Sequence, residues 1–371
     1  MNTHHSLQRL ADARPPQLDP RPDPGRRRRD LERAFATDRP SRLRRPANRR
    51  PMLIAAVGLA AAAAVGIPLL GQGAFAPSSS GPTIVVSAPQ VLLAAAMSAE
   101  ALPATDGAFW RSSELSSSVF RTPGPGGYLV EERHRFDTWT AKSPTDPGAW
   151  ISTNLGAAPL SPADEEAWRN AGAPDRFTEA LCVPREPCTE RVVPAASEPP
   201  LAFPVEAGDG ISPAQLQQLP TDQEALREHL LKSYTGDNPA AAGDPMDPDT
   251  WLFTTGSGLI MKQPVRPEVR AAAFRMLAAL PGMTVDPHAH DVLGRAGTAV
   301  SMRQAVEGGG VLEHRVLIDV GAGIALGEET VVVEPIPGHT GLPPAGQRWH
   351  STVVESVGWT DERPPAVPDG R

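Results

Sequence analysis

Across 371 residues the chain carries a formal net charge of −8 and two cysteines, and that charge is unevenly spread. Fourteen Arg against six acidic residues put the first fifty residues at +8, so the chain total of −8 leaves the remainder at −16. No nucleic-acid-binding motif accompanies the basic stretch, and the lack of a G-x-S-x-G elbow, a Walker loop and an H-E-x-x-H pair excludes the enzyme classes that those signatures define.

Residues 1–50 read as a basic, largely disordered arm. Pro15, Pro16, Pro20, Pro22 and Pro24 keep its start extended, with few apolar side chains to bury. From Arg26 to Ala36, RRRRDLERAFA, the residues Leu31, Ala34 and Phe35 fall at i, i+3, i+4 and make a short apolar stripe on a basic helix. Two readings fit. One is a polybasic segment held to anionic headgroups, each Arg contributing on the order of 1 kcal/mol. The other is a docking helix that binds a cytoplasmic partner through Leu31 and Phe35. A zinc-binding anti-sigma factor would need a His and Cys cluster here, and the arm offers only His4 and His5.

Met52 to Leu70, MLIAAVGLAAAAAVGIPLL, is nineteen residues without a charge. As a helix it is long enough to cross a hydrocarbon core of about 30 Å, and a helix satisfies its own backbone groups without water. Arg lies before it and no charge follows until Glu100, so residues 51–75 are predicted to be one transmembrane helix with the N-terminus cytoplasmic and the C-terminus outside. The rival reading is a signal peptide cleaved after Ala74-Phe75-Ala76. A fifty-residue basic lead and Pro77 directly after the cut weigh against it.

Residues 76–89 form a Ser/Pro/Gly-rich linker, and 90–362 are predicted to be an extracytoplasmic α+β domain, followed by a disordered tail at 363–371. About 270 residues are ample for a hydrophobic core. A helix is predicted from Pro89 to Leu102. The period then shifts toward two: Phe109–Phe120 and Tyr128–Ala141 flank a Pro-Gly-rich turn, and Trp150–Leu155 follows, which together read as an antiparallel meander. Asp164–Ala171 is a short helix with acidic residues in its first turn. Thr221 with Glu224 three residues on reads as a capping box. Helices follow at 250–261, interrupted by Gly256 and Gly258, and at 265–280. The C-terminal part returns to strands at 283–287, 297–303, 311–319, 324–334 and 348–359. Strands, then helices, then strands give an antiparallel sheet with helices packed on one face rather than βαβ units.

Cys182 and Cys188 stand in LCVPREPC, and outside the membrane they are expected to form a disulfide closing a small loop. His288-Ala289-His290-Asp291 is read as a solvated inter-strand loop, with metal binding as its alternative and His314 or His339 as a third ligand. No metal or cofactor is assigned. Gly321-Ala322-Gly323 with Gly327 lacks the following helix that a phosphate-binding loop requires, since Glu328 onward continues as strand. Trp110, Trp139, Trp150 and Trp349 lie on predicted strands, where they pack a core or, if several share a face, line an apolar groove.

RRRRDLERAFA with the span, VLLAAAMSAEA leading to FWR, LPTDQEALREHLL, VRPEVRAAAFRMLAALPGM and LIDVGAGIALGEE together resemble an actinobacterial family of uncharacterised single-pass membrane proteins associated with extracytoplasmic-function sigma factors. These are structural signatures, so the resemblance carries over no active-site residues. It implies a non-enzymatic envelope sensor or regulator with a cytoplasmic partner such as a sigma factor. A helix followed by a broad antiparallel sheet is also similar to the lipoprotein-carrier fold and its periplasmic sigma-regulator relatives. That similarity implies a half-barrel with a partly apolar concave face and, as an alternative function, binding of a lipid or lipoprotein.

Overall fold

Helix α1 (Ala88–Glu100) opens the folded part, its backbone held at the start by Gln90, whose Oε1 accepts from Ser87 N at 3.0 Å. The computed structural model describes residues 86–181, 188–205, 212–238, 241–306 and 308–365. Residues 1–85, with the predicted arm, the apolar span, and Leu31 and Phe35, lie outside the described residues. Among the described residues no helix is long and apolar enough to cross a membrane.

After α1 come three strands, β1 (Phe109–Arg121), β2 (Leu129–Ala141) and β3 (Gly148–Pro159), then the short helix α2 (Pro162–Asn170). A hairpin of β4 (Arg176–Leu181) and β5 (Thr189–Pro194) precedes the edge strand β6 (Leu201–Val205). The helical layer follows as α3 (Pro213–Leu216), α4 (Gln223–Leu231), a small β7 (Asp237–Asn238) and β8 (Ala241–Pro245) pair, α5 (Pro248–Met261) and α6 (Pro267–Ala278). Five strands close the chain: β9 (Thr284–His290), β10 (Ala296–Ala305), β11 (Val311–Asp319), β12 (Ile324–Glu334) and β13 (Arg348–Thr360).

Nine of these strands form one antiparallel sheet in the order β6-β3-β2-β1-β13-β12-β11-β10-β9. The last strand therefore sits beside the first, and the sheet is two meanders sewn together along β1 and β13. Strand registers carry one face across the sheet: Val300 opposes Val316, Val316 opposes Glu328, Glu328 opposes Thr352, Val354 opposes Glu114, and Glu114 opposes Phe136. Because side chains alternate, these residues share a side. That side receives the helices. Val300, Met302, Val316, Ile318, Ala325 and Val354 form one core with α1, α5 and α6, including the fully buried Leu92, Leu252, Phe274 and Leu277. Burying each such large side chain contributes about 1.5–3 kcal/mol.

The opposite face is tied by ion pairs between alternate residues. Arg135 grips Glu355 with two bonds of 2.7 and 2.9 Å, Arg348 reaches Glu131 at 2.6 Å, and Glu313 accepts from Arg315 and Arg303. Trp139 lies on this side beneath the Arg111 guanidinium, 4.9 Å from the ring centre. It is thus separated from Trp110 and Trp150.

The structure corrects four local expectations. The cap of α4 is Asp222 rather than Thr221: its Oδ1 accepts from Glu224 N at 3.1 Å and Ala225 N at 3.0 Å, moving the start one residue on. α5 is continuous through both of its glycines; a Cβ at Gly256 would lie 2.9 Å from Leu277 and Met276 side-chain atoms, so that glycine lets α5 approach α6 closely. His288 and His290 belong to edge strand β9 rather than to a loop. Two features are absent from the sequence reading: β6, which pairs with β3 and forms the edge of the sheet, and the β4–β5 hairpin, a separate two-stranded sheet.

Candidate functional site

The helix-bearing face is not completely covered. Over β1, β2 and β3 a cleft of about 440 Å³ opens between the sheet and the C-terminal end of α5, lined by Trp110, Phe136 and Trp150 from the strands and by Leu216, Lys262 and Pro264 from the helical layer. Its aromatic floor is a ladder. His134 stacks on Phe136 at 5.9 Å, Phe136 on Trp150 at 5.5 Å, and Trp150 leans on Phe203 at 5.2 Å. Trp150 and Phe203 are direct cross-strand partners, whereas Phe136 reaches Trp150 diagonally because it opposes Ser152. Phe136 and Trp150 are half-buried and Phe203 is 43% exposed, so the stacked rings cover one another and still leave part of their surface open.

Leu216 and Gln263 border both this cleft and a second cavity of about 760 Å³ among α3, α4 and α5, whose walls include Leu219, Leu230 and Leu259. The two cavities thus share a wall at Leu216 and Gln263. Trp110 fixes its rim by donating from Nε1 to the Lys262 carbonyl at 2.7 Å.

Two charges, Glu114 and Lys262, line the cleft, and Glu328 acts on both from beyond it. Lys262 Nζ lies 3.0 Å from Glu114 Oε2, with the Glu114 side chain 10% exposed. Burial works against the Lys262 charge, but Glu114 and Glu328 together hold its pKa above the ordinary value. Burial raises Glu328, and repulsion from Glu114 adds to this while Lys262 opposes it. Below α5, Glu328 borders a chamber of about 320 Å³ together with Ser257, Thr330, His314 and His350. His314 Nε2 lies 2.8 Å from Gln304 Oε1, and His350 Nδ1 lies 2.9 Å from Ser118 Oγ. Packing around the ring lowers the His350 pKa to about 4, although the residue as a whole is exposed.

At the other end of the face, Arg191 on β5 reaches Glu132 on β2 at 2.6 Å and Glu179 at 2.5 Å, and His134 Nε2 lies 2.9 Å from Glu132. Burial disfavours the Glu132 carboxylate, yet His134 and Arg191 hold its pKa below the ordinary value. This network ties the β4–β5 hairpin to the sheet beside a cluster of Phe120, Tyr128, Val130, Phe177 and Val193.

The residues singled out from sequence fall as follows. Leu181 pairs with Thr189, each next in the chain to a cysteine; Cys188 is disulfide-bonded, and Cys182 lies outside the described residues. His288 and His290 are exposed on β9, and the Asp291 carboxylate is taken by Arg295 at 2.5 Å. Among the described residues no group of three His, Cys, Asp or Glu is placed to hold a metal. Asp164 is structural: its Oδ1 accepts from Leu129 N at 2.8 Å and fixes the start of β2. The Gly321-Ala322-Gly323 turn joins β11 to β12 and packs on α1, where a Cβ at Gly323 would lie 2.3 Å from Ala99 N. Trp110 and Trp150 share the cleft, and Trp349 lines the chamber.

Glu114, Lys262, Glu328 and Ser257 carried no motif. The available signal was a lone charge in an otherwise uncharged setting, Glu114 among the serines of SSELSSS and Lys262 ending the apolar run LIMK. No protein-family model matches the chain, and no curated protein matches it significantly.

Proposed function

We propose that the chain is a single-pass envelope protein, its N-terminus cytoplasmic, whose folded domain is a non-enzymatic sensor or regulator. In this reading the sheet curls into a half-barrel that receives a ligand with an apolar body in the cleft over Trp110, Phe136 and Trp150. The basic arm engages a cytoplasmic partner such as a sigma factor through Leu31 and Phe35. The observation that carries it is the half-exposed ladder Phe136–Trp150–Phe203, whose Phe136 and Trp150 line the cleft together with Leu216. Stacked rings left uncovered beside a cleft of about 440 Å³ are suited to binding, since ligand pockets are mostly apolar with a few placed polar groups. The charged groups that line the cleft are engaged with one another, Lys262 with Glu114, which favours a binding role over catalysis.

A second reading, an envelope lipid- or lipoprotein-binding module whose arm only sets topology, is favoured by the larger cavity in the helical layer, which has Leu219, Leu230 and Leu259 in its walls and shares Leu216 with the cleft. Titration of tryptophan fluorescence with fatty acid or phospholipid tests ligand binding. A saturable change, weakened about tenfold or more by Trp150→Ala, supports the cleft, and an unchanged spectrum removes it. Co-purification of a sigma factor with the full chain, lost on substituting Leu31 and Phe35 by Asp, separates the regulator from the carrier.

A further inference from the structure

The chamber under α5 is a second site, built on other residues than the aromatic cleft. Its volume of about 320 Å³ lies within the range of small-molecule pockets. Ser257, 2% exposed, lines this chamber, and its buried hydroxyl oxygen has no hydrogen-bond partner. A buried hydroxyl left unpaired costs about 1–3 kcal/mol, so its place in the wall asks for a ligand atom. The charges are also unbalanced. Two carboxylates, Glu114 and Glu328, face one ammonium, Lys262, and Lys262 bonds Glu114.

The remaining charges around the chamber do not supply the missing cation. Arg315 is held by Glu313 at 2.7 Å. Glu329 is itself a carboxylate, and of the two cations that act on it Arg348 is bonded to Glu131 at 2.6 Å and Arg315 to Glu313. His314 and His350 are engaged with Gln304 and Ser118.

We propose that this chamber binds a small organic ammonium ion, its charge against the Glu328 carboxylate, one N–H donated to Ser257 Oγ, and its organic body against Phe253, Leu312 and Trp349. Below the folded pKa of Glu328, binding takes the proton off its carboxyl, because the ligand supplies the positive charge that lets the carboxylate ionise. Affinity therefore rises with pH through that folded pKa, levels off above it, and falls once the amine itself loses its proton.

The test is isothermal titration of the purified full-length chain with phenethylammonium chloride and, separately, with its neutral isostere 2-phenylethanol. The expected result is binding of the ammonium roughly tenfold or more tighter than the alcohol. Glu328→Gln abolishes this preference, Ser257→Ala weakens ammonium binding several-fold, and Trp150→Ala in the other cleft leaves it unchanged. Equal affinity for the two probes, a preference that survives Glu328→Gln, or no binding of the ammonium by the wild-type chain at millimolar concentration would overturn the proposal. The comparison of probes on the wild type and the Ser257→Ala variant decide it even if Glu328→Gln does not fold.

Discussion

Lys262 Nζ sits 3.0 Å from Glu114 Oε2 and so joins the end of α5 to β1 across 148 residues of sequence. This pair closes the helical layer onto the seam where the first strand meets the last. Replacing Lys262 by Met leaves Glu114 and Glu328 facing each other without a cation. Breaking a fully buried pair costs about 3–5 kcal/mol. The Lys262 side chain is 34% exposed, so about 2 kcal/mol is expected after screening, measured by denaturant unfolding. The double variant with Glu114→Gln should recover part of that loss; additive losses instead would show that the two groups are not coupled.

Glu328 gives stability a pH dependence of definite sign. Burial raises its folded pKa above the ordinary carboxylate value, so its contribution is fully present below the unfolded pKa and is lost as pH rises through the folded one. Glu328→Gln should remove this slope and leave the variant more heat-stable than the wild type on the alkaline side. Parallel melting curves of stability against pH for the two proteins would show that the group ionises freely in the fold.

Glu132 acts in the opposite sense. With His134 and Arg191 holding its folded pKa below 4.5, the carboxylate contributes stability above the unfolded value, and that contribution is lost as pH falls through the folded one. Arg191→Ala should cost about 2 kcal/mol, discounted because the Arg191 side chain is 39% exposed. It should also move the acid-unfolding midpoint to higher pH. Hydrogen exchange should accelerate in the β4–β5 hairpin before the rest of the sheet.

The β11–β12 turn distinguishes packing from ligand binding. Gly323 has φ +65° and no room for a Cβ against Ala99, whereas a Cβ at Gly321 would meet only Asp319 Oδ1 at 3.5 Å. Gly323→Ala is expected to destabilise by about 1–3 kcal/mol and Gly321→Ala to be near neutral, read from thermal unfolding. A nucleotide or phosphate that protects the turn from proteolysis would assign it a different role.

Much of the fold was readable because local pattern and final environment agree. Period-two runs around the Pro-Gly turn mark β1 and β2, and the hairpin at Gly321–Gly323 marks β11 and β12. Other elements depended on distant partners. Nothing local in Arg348–Thr360 says that it inserts beside β1, because that pairing is made 200 and more residues away. The charged TERVVP became β5 because Arg191 finds Glu132 at a separation of 59 residues. His288 and His290 were read as loop since an exposed edge strand shows little apolar alternation. The aromatic cleft was half visible: four tryptophans on strands were evident, but which faces they share follows only from the registers.

The topology is tested most directly by adding protease to intact cells that make the full-length chain tagged at its N-terminus. A membrane-anchored domain facing outward predicts cleavage of everything beyond the linker at 76–89 and survival of a small tagged fragment in the membrane fraction. A full-length chain that resists protease until the cells are lysed, or that is recovered without membranes, would contradict it.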